Sequence, residues 1–164
     1  MRAIANQDRT SRTRRRWAAA ALVGSVLVLA LMTHGAAQAD DAADMAATWR
    51  VVSLVTDGNK GGEDDVRKIT VENEIDGRWT LRLDGEFIAK GTSVHHEDVS
   101  PRQVELTITE AKDGSSVGQV FKGIYENKEK TRRVCLAPPG RQRPTKFLSA
   151  PGSGHLLVNY ERVE

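Results

Sequence analysis

Asp76-Gly77-Arg78-Trp79-Thr80-Leu81-Arg82-Leu83-Asp84-Gly85 is the stretch on which the reading of the fold turns. Trp79, Leu81 and Leu83 alternate with Arg78, Thr80 and Arg82, so an extended chain here has one dry face and one wet face. Asp-Gly at each end supplies the positive φ values of a tight hairpin turn. The segment is therefore the middle strand of a three-strand meander.

The same period-two pattern continues outward. Val104, Leu106 and Ile108 alternate with Gln103, Glu105, Thr107 and Thr109. Strands are expected at about 48 to 56, 66 to 73, 77 to 83, 86 to 94, 102 to 110, 117 to 126, 131 to 137 and 155 to 163. No segment carries a long 3.6 periodicity, so any helix is short. Eight sequential antiparallel strands must close into a barrel or split into a sandwich, because open edges invite aggregation. Hairpin connectivity favours an all-β, antiparallel, eight-stranded up-and-down barrel.

The chain before these strands reads as an address. Arg12, Arg14, Arg15 and Arg16 form a basic region, and the apolar stretch Ala18 to Met32 is only fifteen residues, short for a spanning helix. Ala37-x-Ala39 then fits signal-peptidase cleavage before Asp40. The expected organisation is a signal peptide over 1–39, a lead-in linker over 40–46 and a β-barrel domain over 47–164. Cleavage leaves no stable membrane anchor, and the destination is periplasmic or extracellular. Arg14-Arg15 also matches, weakly, a twin-arginine export signal.

Removing that segment reverses the sign of the charge. Six of the 24 Lys and Arg and one of the 22 Asp and Glu precede Asp40, leaving 18 basic against 21 acidic residues. The basic pI thus belongs to the export signal, and nucleic acid is not an expected partner. The remaining 125 residues suffice for one hydrophobic core. Cys135 is the only cysteine, so the core holds the fold without an intrachain disulfide.

Gly123-Ile124-Tyr125-Glu126, Cys135-Leu136-Ala137-Pro138-Pro139-Gly140, Arg143-Pro144-Thr145-x-Phe147 and Pro151-Gly152-Ser153-Gly154 form a distinctive closing signature, and Thr48-Trp49-x-Val51-Val52-Ser53 with Asp57-Gly58 opens it. Over nearly all of 47–163 the chain resembles an uncharacterised exported domain family abundant in planctomycete bacteria. That resemblance implies a lipocalin-like fold and carries no established activity. Arg132 departs from it, standing where the family tends to be apolar.

In a closed meander the first and last strands are neighbours, which sets Trp49 beside Arg162. Arg162 shares parity with Leu156, Val158 and Tyr160, so its guanidinium is expected over the Trp49 indole at the barrel base, in a contact worth about 1 kcal/mol. At the other end, the acidic loop carrying Glu63, Asp64 and Asp65 and the proline-rich loop carrying Arg141, Arg143 and Lys146 are expected to meet as a lid.

Chemistry is sparsely signalled. His95 and His96, as adjacent strand residues, point to opposite faces and cannot share a metal. Cys135 has no histidine nearby in sequence, and there is no phosphate loop or nucleophile elbow. No catalytic residue, metal or cofactor is expected, and the domain reads as a non-enzymatic binding protein. Its partner is a protein or an anionic polymer met by the loops of a cell-envelope module, or alternatively a small apolar or amphipathic ligand inside the barrel. Trp49, Trp79, Phe87, Phe121, Tyr125 and Tyr160 lean the reading toward a solidly packed module. An enclosed apolar volume of about 300 Å³ or more, open at the mouth, supports the ligand, and a filled barrel removes it.

Overall fold

The structure, a computed structural model, describes residues 45–164. The segment read as an export signal, and all but the end of the expected lead-in, lie outside the described residues.

Nine strands follow one another: β1 Thr48–Thr56, β2 Asn59–Lys60, β3 Ile69–Asn73, β4 Arg78–Leu83, β5 Glu86–His96, β6 Gln103–Ala111, β7 Val120–Lys128, β8 Thr131–Leu136 and β9 Leu156–Arg162. A four-residue helix, α1 Glu63–Val66, lies between β2 and β3. Every pairing is antiparallel, and β1 pairs with both β3 and β9, closing an eight-stranded barrel. The two-residue β2 only folds back on the end of β1.

Asp84-Gly85 makes the two-residue turn expected of it, with φ of 53° and 80°. Asp76-Gly77 instead ends a longer turn closed by the Gly77 N–H donating to Glu74 O at 3.0 Å. Three register shifts, at Val51/Ser53, Leu81/Arg82 and Lys90/Gly91, bend the strands around the barrel. Gly91 faces Trp79 across β4 and β5, where a Cβ would run into Thr107 O and come within 2.6 Å of the Trp79 ring.

The interior is apolar by alternation. Val51, Val66 and Val158 form one buried cluster, and Met45, Val104, Tyr125, Val134 and Leu136 form another. Met45 belongs to the segment read as a linker, yet it is buried and accepts at its carbonyl from Trp49 Nε1 at 3.3 Å. The lead-in thus contributes a side chain to the base of the barrel.

A second apolar layer lies outside the wall. Cys135 pairs in register with Ile124 and Leu157, opposite in parity to Val134, so it faces outward. It is nonetheless 0 % exposed. The long connection between β8 and β9 covers it, with Leu148 O 3.6 Å from its sulfur.

Candidate functional site

Strand direction fixes the two ends of the barrel. β1 begins at the base, so the ends of β3, β5, β7 and β9 share that pole with the starts of β4, β6 and β8. Met45, Trp49, Asn73, Trp79, His95, Tyr125, Arg132 and Tyr160 therefore gather at the base.

Arg132 is the centre of this group. It is the second residue of β8 and pairs with Tyr160, which pairs in turn with Val51, so all three share the inner face. Its guanidinium carbon lies 4.7 Å from the Trp49 ring centroid and 4.7 Å from that of Tyr160. The Asn73 amide, set with its oxygen toward Arg132, accepts from Nη1 at 2.8 Å and Nη2 at 3.1 Å. Only 5 % of Arg132 is exposed, and burial pushes its pKa down to about 10, which leaves it charged at neutral pH. Burial also pushes the Tyr160 phenol up, so it stays neutral beside that charge.

These positions correct one expectation. The ladder does set Trp49 opposite Arg162, but the guanidinium stacked on the indole belongs to Arg132, and Arg162 is exposed. Parity gives both arginines the inner face. Arg162 closes the last strand, beyond the rim, whereas Arg132 has the full length of β8 above it.

Above the base lies a cavity of about 250 Å³. Val51, Leu81, Leu106, Ile108, Phe121 and Val158 are typical of its walls, while polar atoms come from Asn73, Trp79, Ser93, His95, Arg132 and the hydroxyls of Tyr125 and Tyr160. Its volume falls below the roughly 300 Å³ of drug-sized pockets and exceeds the roughly 150 Å³ of an apolar cavity that takes benzene. The aromatic side chains thus do not fill the barrel solid. Several crowd the base, and Ser93 puts little volume into the cavity from β5, whereas the space over Gly91 and Gly123 is taken by Trp79 and Leu136.

The mouth loops meet, although not through the charges singled out for the lid. Asp57 N–H donates to His155 O at 3.0 Å, Gly58 N–H to Ser149 Oγ at 3.3 Å and Gly154 N–H to Asp57 Oδ1 at 2.7 Å. Glu63 pairs with Lys60 at 2.9 Å and Asp65 with Lys68 at 3.0 Å, each within its own segment, and Asp64 is exposed. The α1 turn turns Val66 inward onto Val51 and Val158.

Arg143 has left the mouth altogether. It donates from Nη1 to Val104 O and Gly123 O, both at 2.7 Å, and from Nη2 to Glu105 at 2.7 Å, which pins the loop down the outer wall. Arg141 and Lys146 are exposed. Loop length and proline content located the contact between the loops. They could not foresee that apolar Ile124 and Cys135 on the wall would draw the loop's middle outside the barrel.

His95 lines the cavity, its ring edge-on to Tyr125 at 5.1 Å between centroids, whereas His96 is exposed. Among the described residues no three His, Cys, Asp or Glu side chains are grouped to hold a metal ion. No family model, no curated protein and no solved structure matches this chain.

Proposed function

We propose that the barrel binds one small, largely apolar ligand in its interior, without catalysis. The observation that carries this reading is the cavity of about 250 Å³, walled by apolar side chains inside a closed sheet. A closed eight-stranded barrel is just wide enough either to be filled or to hold one small molecule. A residue as small as Ser93 among those lining the cavity favours the second use. On this reading the protein is a carrier or sensor, and the export expected from residues 1–39 would put it to work outside the cytoplasm. The ligand reading takes precedence over the cell-envelope module, which needs no interior volume.

The test is calorimetric titration of the purified chain with 1-octanol, a neutral probe. Saturable one-to-one binding is expected, and Leu106→Trp, which puts an indole into the cavity, abolishes it while the circular dichroism of the sheet is retained. No saturable binding by the unsubstituted chain of either 1-octanol or its carboxylate analogue octanoate, or equal binding by Leu106→Trp, sinks the proposal.

A further inference from the structure

Among the described residues the cavity has one fixed charge and no carboxylate: none of those lining it is Asp or Glu, and Arg132 is the only Lys or Arg. Everything packed on the Arg132 guanidinium is neutral: two aromatic rings, the Asn73 amide and the Met45 sulfur, 4.0 Å from Nη1. A buried charge without a counter-charge is costly, and stacking on rings offsets that cost only in part.

The hydrogen-bond inventory points the same way. Arg132 Nε and Trp79 Nε1 are buried donors with no acceptor among the described residues. Stacking on a ring gives an in-plane N–H nothing to donate to. Asn73 binds Arg132 and pairs with Trp79 across β3 and β4, so all three share the cavity's polar end. From there toward the mouth the lining turns to Val134, Leu136, Leu156 and Ile108. The interior is thus graded, with a cation and spare donors at the base and hydrocarbon above.

We infer that the ligand is an amphipathic monoanion, a carboxylate on a short apolar tail, bound with its carboxylate at Arg132 and its tail toward the mouth. This inference rests on the binding reading above and specifies its ligand class. A single guanidinium matches one negative charge, and a carboxylate has two oxygens to receive Nε–H and a neighbouring donor. In proportion to the roughly 150 Å³ that takes benzene, the cavity accommodates about ten non-hydrogen atoms. A medium-chain carboxylate has that size.

Octanoate and 1-octanol share a tail and differ in the head group, so titrating both into the purified chain isolates the charge. Octanoate is expected to bind at least tenfold more tightly, and to shift the Arg132 Nε–H and Trp79 Nε1–H proton resonances where octanol does not. Arg132→Met is expected to remove the preference for octanoate over octanol, and the retained circular dichroism of the sheet reports that the barrel has folded. Equal affinity of the two probes for the unsubstituted chain overturns the inference and leaves the cavity reading standing. Failure of both probes overturns both. Should Arg132→Met not fold, the resonances of the unsubstituted chain decide, and a tenfold preference without a shift at Arg132 Nε–H overturns the placement.

Discussion

Arg132 shows how one side chain can work against its surroundings without being misplaced. Burial pushes its pKa down to about 10, so at neutral pH the charge persists at the base at some cost to the fold. Stacking on Trp49 and Tyr160 returns about 1 kcal/mol per ring. The two effects oppose each other, and a substitution that removes both should nearly cancel. Arg132→Met is therefore expected to unfold within about 1 kcal/mol of the unsubstituted chain, or above it. Arg132→Ala also leaves a hole under two rings and is expected to lose about 2 to 5 kcal/mol, both read from denaturant midpoints. A large loss for Met would show that the charge itself holds the base together. Sequence assigned Arg162 to the inner face, because parity is local, and read Arg132 only as a departure from the family pattern. It could not say which lies inside the rim, because height depends on how the strands stagger around the closed sheet. Met45 was illegible for a related reason: a residue in an alanine-rich lead-in has no periodicity to betray that it packs under a barrel.

At the scale of the element, strands were the most legible feature and connections the least. The alternation around Trp79 and Leu106 and the Asp84-Gly85 turn put every barrel strand within a few residues of its observed bounds, since each signal is contained in its own segment. The loop after Leu136 depends on what it meets. Its path down the outer wall is written partly in Ile124 and Cys135, apolar residues on a face that alternation assigns to solvent. That cover has a chemical signature. Burial raises the Cys135 pKa, so at pH 8 less of it is thiolate than in an unfolded chain, and the sulfur is also shielded. Labelling with a thiol reagent is expected to be at least about tenfold slower than in denaturant, and Arg143→Ala, which unpins the loop, to restore much of the rate. An unchanged rate in Arg143→Ala would mean that other contacts hold the loop. The neighbouring element offers a sharper case. Gly91→Ala puts a methyl against Thr107 O and the Trp79 ring, and a loss of about 1 to 3 kcal/mol is expected in equilibrium unfolding.

For the whole molecule, the ion pairs decorate the barrel and do not close it. Lys60 with Glu63, Lys68 with Asp65 and Lys130 with Glu164 all join side chains that remain about half or more exposed, within one segment or at the barrel's ends. Thermal unfolding is accordingly expected to be one cooperative transition whose midpoint moves by less than about 3 °C between low and 0.5 M sodium chloride. A marked drop with salt would show that the partly buried Arg143–Glu105 pair, which pins the outer loop, holds the barrel as well. Closure comes instead from the seam between β1 and β9, where Val163 N–H donates to Thr48 O at 2.8 Å and the register runs on to Thr56 beside Leu156. That seam brings the barrel's two ends to the same pole. Joining them by a short linker and opening the chain in the Asp113 to Gly118 turn should leave the sheet intact. Under tension applied at those same ends, the load would fall on one rung of the seam at a time, so the barrel would yield as a zipper does, from the base upward, and the polar floor would part before the walls.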